Sequence, residues 1–190
     1  MALTIVFETH STTLDNERGI ATGWLGGRLS ATGRANARMM GLRRRDDGVT
    51  AVMTSDLNRA VETAWIAFRG SGIPVSLDWR LRECNYGAMN GMPQSQLRVE
   101  RPRRLDEPFP NGESWRQAIE RVERLLSDVE RKHKNGRIFL IGHVATRWAL
   151  DHYARGASLD RLIDEPFHWQ EGWEYVLPRS RTHERAIAGI

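Results

Sequence analysis

Four residues stand out by type and by position: two histidines, an arginine and a glutamate, each just beyond a short apolar run. His10 follows Thr4-Ile-Val-Phe7, Arg59 sits in the first turns after Ala51-Val-Met-Thr54, Glu83 lies in the irregular stretch after Pro74 to Leu77, and His143 comes after Ile138-Phe-Leu-Ile141. Side chains of these kinds suit the transfer of an anionic group. One imidazole can act as nucleophile, the guanidinium and the second imidazole can hold oxyanions, and the carboxyl can protonate a leaving oxygen. A metal site built from His10, His143 and Asp56 is the competing arrangement, though it lacks a well-placed third ligand. The sequence has no Walker A loop, no GxGxxG after the first apolar run, no HExxH and no GxSxG, so the chemistries those motifs support are not indicated.

These residues need elements to carry them. Thr4 to Phe7, Ala51 to Thr54, Pro74 to Leu77 and Ile138 to Ile141 read as strands, the first buried on both faces. Between them, Thr32 to Arg45 reads as a helix with Ala35, Met39 and Leu42 on its apolar face, and Ser55 or Asp56 can cap a second helix that runs to Phe68 and stops at Gly70. Trp115, Ala118, Ile119, Val122, Leu125, Leu126 and Val129 form the clearest helical stripe. A further helix is expected over Thr146 to Tyr153, and Trp173 to Leu177 alternates like a last strand. Periodicity fails from Trp79 to Asn111, which predicts a lid-like insertion at about residues 88–111. Strands alternating with helices predict an α/β chain, a three-layer α/β/α sandwich with a mainly parallel central sheet. One domain over residues 1–177 and a C-terminal tail over 178–190 are expected. Ligands in such a fold sit beyond the carboxyl ends of the strands.

Composition bounds the answer further. A chain of 190 residues that is 40% hydrophobic and 27% charged can bury a sizeable core. The 28 basic residues exceed the 24 acidic ones only slightly, for a net charge of +4, and nearly all of them are arginine. No nucleic-acid motif accompanies them, and Arg43-Arg-Arg45 reads as the cationic end of a helix. The apolar runs are too short for a membrane span, Thr4 to Phe7 is too short for a secretory leader, and the lone Cys84 supplies no disulfide framework. A cytoplasmic protein with neither membrane nor nucleic-acid partners is expected.

Several ordered blocks together carry a resemblance. His10-Ser-Thr-Thr-Leu-Asp-Asn16, Thr22-Gly-Trp24, Leu29-Ser-Ala-Thr-Gly33, Ser55-Asp-Leu-Asn-Arg-Ala-Val-Glu-Thr-Ala64, Leu81-Arg-Glu-Cys-Asn-Tyr-Gly87, Gly112-Glu-Ser114 and Ile141-Gly-His143 resemble the histidine phosphatase superfamily, the phosphoglycerate mutase-like group. The resemblance implies a phosphoglycerate mutase-like fold in which His10 is the phosphate-accepting nucleophile, Glu83 the proton donor, and Arg59 and His143 the holders of the phosphoryl oxygens. Asn16 and Gly23 match positions that contact phosphate or substrate, and Tyr86 matches an aromatic residue beside the acid. The implied activity is metal-independent hydrolysis of a small phosphorylated metabolite through a phosphohistidine, with no cofactor. Mutase-like phosphotransfer and a degenerate, non-catalytic anion-binding member of the fold are the alternatives, and a homodimer is left open.

Two departures mark this chain. The family's Arg-His-Gly signature is replaced by Thr9-His10-Ser11, and Val144 stands where a glycine is usual after the distal histidine. A hydrogen bond to a charged group contributes roughly 1.5–3 kcal/mol, so a lost arginine needs a substitute. Arg147, four residues after His143, is the candidate replacement. Ser11 is a candidate substrate contact, and Arg104, with Arg98, Arg101 and Arg103 around it, is a candidate for gripping a second acidic group on the substrate. Trp148, Trp169 and Trp173 are candidate pocket aromatics.

Overall fold

The computed structural model describes residues 2–133 and 135–177. Its centre is a five-stranded sheet made of β1 (Leu3–Thr9), β3 (Ala51–Thr54), β4 (Val75–Leu77), β6 (Gly136–Gly142) and β7 (Trp173–Leu177), in the order β4-β3-β6-β1-β7. All neighbouring strands run parallel except β7, which pairs antiparallel with β1 from Leu3↔Leu177 to Phe7↔Trp173. A parallel strand needs a crossover before it can return, and helices supply it. Helices α2 (Ala31–Arg44) and α3 (Asn58–Phe68) cover one face, where Met40, Ala64 and Phe68 pack on Val6, Val52, Phe139 and Ile141. On the other face α5 (Trp115–Lys132) and α6 (Val144–Arg155) pack against Ile5, Phe7, Ile138 and Leu140. The fold is thus the expected mainly parallel α/β sandwich.

The β1–β6 register, Leu3↔Gly136 through Thr9↔Gly142, ends both strands at one level. The His10 amide then donates to the Gly142 carbonyl at 2.9 Å, so the two histidines leave neighbouring strand ends together. The expected α5 stripe is buried at all seven positions. One polar residue joins it: Arg121 is 1% exposed, and its guanidinium donates to the carbonyls of Arg80, Arg82 and Glu83 while pairing with Glu113. A core arginine therefore fastens the loop that carries Glu83.

Three expectations are corrected. Helix α2 does not bury Ala35, Met39 and Leu42; its inward face is Gly33, Ala37, Met40, Gly41 and Arg44. Two glycines on that face let the helix approach backbone rather than side chains, and this turns the apolar Met39 and Leu42 outward. Neither Ser55 nor Asp56 caps α3, which starts after Leu57 with no side-chain cap; both side chains are engaged elsewhere, as described below. The stretch from Trp79 to Asn111 is more regular than its composition suggests. It holds α4 (Gln94–Glu100) and the short strand β5 (Met92–Pro93), which pairs with β2 (Ile20–Ala21) after the single-turn helix α1 (Leu14–Glu17). Helix α7 (Leu159–Asp164) precedes β7. The expected tail over 178–190 lies outside the described residues.

Gly41 is the tightest contact between α2 and α3. A Cβ there would sit 2.2 Å from the Ala67 carbonyl oxygen. Replacing a helical glycine with alanine normally stabilises by about 1 kcal/mol, but overpacking costs roughly 1–3 kcal/mol and here the obstacle is backbone. Gly41→Ala is therefore expected to lower the melting temperature by several degrees, measurable by thermal denaturation. A rise would mean that the helices separate without penalty.

Candidate active site

Beyond the carboxyl ends of β1, β3 and β6 lies a cavity of about 650 Å³ whose walls include His10, Ser11, Arg59, Glu83, Tyr86 and His143. Arg59, in the first turn of α3, is almost fully buried and sits at the centre. Its Nε donates to His10 Nε2 at 3.2 Å, Nη1 donates to the Leu25 carbonyl at 3.1 Å and Nη2 to the Gly23 carbonyl at 2.8 Å. Nη2 also lies 3.4 Å from His143 Nδ1. Burial lowers the pKa of this guanidinium, with Glu83 the largest opposing influence, yet an arginine remains a cation.

The two imidazoles stand 5.0 Å apart between ring centres. His10 Nδ1 is 2.8 Å from the Ser11 carbonyl, which can only accept, so Nδ1 carries the proton. Its Nε2 is left as a lone pair facing Arg59 and the cavity. Burial first, then the Arg59 charge, push the His10 pKa down to about 3. His143 is held well below its ordinary value by burial, then by Arg59 and His10. An arginine nitrogen is always a donor, so His143 Nδ1 accepts, and Nε2–H donates to Ser55 Oγ at 2.8 Å. Ser55 thus serves the site rather than the start of α3.

Glu83 is buried against the amino end of α6. Its Oε1 accepts from the amides of Cys84 and Ala145 at 3.0 and 3.2 Å, and Oε2 accepts from Val144 at 3.3 Å. Helix amino termini favour such anions. The Trp24 indole donates to the Glu83 carbonyl at 2.6 Å, and the Arg82 guanidinium lies 4.5 Å from the centre of the same indole. Trp24 is therefore part of the framework behind the acid rather than plain core packing. Neither Arg80 nor Arg82 pairs with Glu83: Arg80 holds Asp78 and Asp128, and Arg82 holds Asp56. That ion pair occupies the third ligand of the competing metal arrangement. Among the described residues no group of three His, Cys, Asp or Glu is placed to hold a metal ion.

The candidate substrate contacts divide. Ser11, Asn16, Gly23 and Tyr86 line the cavity. Asn16 Oδ1 accepts from the Thr13 amide at the start of α1, and burial pushes the Tyr86 phenol up. Gly23 has φ +56°, and a Cβ there would lie 1.9 Å from Asn90 Oδ1, so only glycine brings this carbonyl to Arg59. Arg104 and Arg147 do not line the cavity. Arg104 is held by Glu100, Glu107 and the Pro108 carbonyl. Arg147 pairs with Asp151 at 2.6 Å and lies over the Trp173 ring at 4.4 Å, directed away by its helical partner. Besides Arg59, the arginines that reach the cavity are Arg43 and Arg101. Arg43 and Arg44 do form the charged end of α2, and from there both also grip the fully buried Glu8 carboxylate as its counter-ions. Of the three tryptophans, Trp169 lines the cavity while Trp148 and Trp173 belong to the core.

Comparison with known proteins follows the same lines. Residues 5–171 match the model of the histidine phosphatase superfamily (branch 1). This chain belongs to that superfamily. A probable phosphoglycerate mutase GpmB from Enterobacter is 30% identical over 182 residues, covering 84% of this chain and 85% of that protein. The 2,3-bisphosphoglycerate-dependent phosphoglycerate mutase of Thermobifida fusca is 39% identical over 102 residues, 51% of this chain but only 41% of that longer protein. Among solved structures, Bacillus stearothermophilus YhfR superposes with a TM-score of 0.77 at 27% identity, covering 91% of this chain and 90% of that one. A native mycobacterial glucosyl-3-phosphoglycerate phosphatase gives 0.76 at 22% identity, over 86% and 84% of the two chains, which is a likeness of fold. Superfamily members are phosphatases or mutases. No helix among the described residues is long and apolar enough to cross a membrane.

The buried neutral imidazoles tie stability to pH. Unfolded, each histidine takes up a proton near its ordinary value of 6.5; folded, His10 does so only near 3. Between those values the unfolded chain binds more protons, so stability is complete above about pH 6.5 and falls as pH drops, by on the order of 1 kcal/mol per pH unit for each histidine. Urea unfolding between pH 7 and pH 5 should show this loss, and His10→Gln should flatten the slope. An unchanged slope in that variant would show that His10 is not held neutral.

Proposed function

We propose that this protein is a metal-independent phosphatase that hydrolyses a small phosphomonoester through a phosphohistidine at His10. One observation carries the reading. The bond from His10 Nδ1–H to the Ser11 carbonyl leaves Nε2 unprotonated, its lone pair accepting from Arg59 at the wall of the cavity. Burial and the Arg59 charge keep this imidazole neutral at physiological pH, the form in which it is a nucleophile.

In the proposed reaction His10 Nε2 attacks the phosphorus in line with the ester oxygen. The new P–N bond forms as the P–O bond to the alcohol breaks, and Glu83, having taken the proton that a monoanionic ester brings into the site, passes it to the departing oxygen. Arg59, a permanent cation, stabilises the phosphoryl oxygens, and the neutral His143 lies against the same guanidinium on the cavity wall. Water then attacks the phosphohistidine, Glu83 recovers a proton from it, and inorganic phosphate leaves with His10 neutral again.

Two further features support an enzyme rather than a binding module. A site that only binds an anion needs no neutral nucleophile and no carboxyl beside the phosphate. His10, Arg59, Glu83 and His143 are also all present and line one cavity, whereas a binding module has no need of all four. Mutase-like transfer is the second reading, favoured by the relatives named as phosphoglycerate mutases; it differs only in returning the phosphoryl group to an alcohol instead of water.

Phosphate release from a panel of phosphomonoesters in the presence of EDTA tests the proposal. Wild type should turn over and His10→Ala should lose at least a thousandfold, with acid-labile phosphate trapped on the wild-type protein during turnover. Release that persists in His10→Ala, or that stops with EDTA, would overturn it. Phosphate appearing on a second alcohol rather than in solution would select transfer.

A further inference from the structure

The lining of the cavity is not charged throughout: beside the Arg43–Glu171 ion pair, one side is apolar. On that side Met39 of α2 and Phe167 and Trp169 of the segment 165–172 line the opening while remaining 52%, 38% and 54% exposed, and Met40 lies beneath them. Apolar side chains left half in water forfeit burial that a ligand can restore. Here they gather at the rim of a catalytic cavity rather than being scattered over the surface.

The rim is also held in place. Arg44 donates from Nη2 to the Glu171 carbonyl at 2.9 Å, and Arg43 pairs with the Glu171 carboxylate at 3.4 Å. Both arginines are themselves anchored on buried Glu8. Phe167 packs on Trp173 at 5.9 Å between ring centres. A surface already ordered before ligand arrives loses little freedom on binding. Meanwhile Arg103 and Arg104, which could have selected a second acidic group, are committed to Glu100 and Glu107.

We infer that the alcohol released by this enzyme is apolar or aromatic, seated on Met39, Phe167 and Trp169 while its phosphate meets His10. The inference rests on the phosphatase reading and deepens it. Arg101, also on the cavity wall and with no carboxylate partner among the described residues, marks the opposite choice, a leaving group bearing its own anion.

Two measurements separate the inference from the reading beneath it. The first compares kcat/KM for phenyl, naphthyl and octyl phosphates with that for glycerol phosphate and for a phosphorylated hydroxy acid, in wild type, Trp169→Ala, Trp169→Phe and Arg101→Gln. The apolar esters should be preferred by tenfold or more. Trp169→Ala should cut that preference about tenfold through KM, with Trp169→Phe retaining most of it. A preference for the phosphorylated acid that disappears in Arg101→Gln would overturn the inference and leave the phosphatase intact. The second measurement titrates benzylphosphonate and methylphosphonate calorimetrically into His10→Ala, where no turnover is needed. Tighter binding of the benzyl compound, weakened by adding Trp169→Ala, supports the inference even if hydrolysis is never seen; equal affinities refute it.

Discussion

A single buried guanidinium organises this molecule's site. Among the described residues Arg59 has no carboxylate in direct contact; its donors go to the carbonyls of Gly23 and Leu25 and toward two imidazole nitrogens. Burial is the larger cause that keeps both histidines neutral, and a positive charge in that position adds to it by discouraging another from forming beside it. Neutrality gives His10 its lone pair, while the retained charge of Arg59 gives an incoming phosphate its attraction. The contacts with the Gly23 and Leu25 carbonyls also hold the loop after β2 over the start of α3, and Asn90 and Tyr86 leave no room for a side chain at Gly23. Without the cation, the two rings would lose the charge that adds to burial in keeping them neutral and the donor that reaches both of them.

The rest of the fold serves to bring parts of distant sequence to that charge. Parallel pairing of β1 with β6 puts His10 and His143 side by side across more than a hundred residues. The amino end of α6 provides amides for Glu83, and Arg121 reaches out of the α5 stripe to fix the same loop from behind. On the opposite wall buried Glu8 draws Arg43 and Arg44 inward. A carboxylate so enclosed is strongly destabilising once a partner is removed, so α2 and the segment before β7 are bound to the strand that carries the nucleophile.

Much of this was legible from residue order alone, and the reason differs from case to case. Strand ends are short-range features, so the apolar runs before His10, Arg59 and His143 gave their placement, and the α5 stripe was a clean periodic signal. The inward face of α2 was not legible, because its contacts are close backbone approaches at Gly33 and Gly41, which carry no hydrophobic period. Ser55 and Asp56 looked like helix caps because local chemistry permits it; His143 and Arg82 claimed them from far along the chain. The same holds for the arginines. Arg147, four residues from His143, found a carboxylate one turn further on, whereas Arg43 and Arg101 reached the cavity from elements whose position only the assembled sheet and its covering segment define.

Cys84 follows the acid directly in sequence and donates its amide to it. Its thiol is fully buried, and burial together with the neighbouring carboxylates raises its pKa well above the usual range. Thiolate is the form that peroxide and electrophiles attack. A sulfur this close to the proton donor would otherwise be the natural point at which oxidative stress switches the protein off. Kept protonated and out of reach, it presents no thiolate beside the acid for an oxidant to attack.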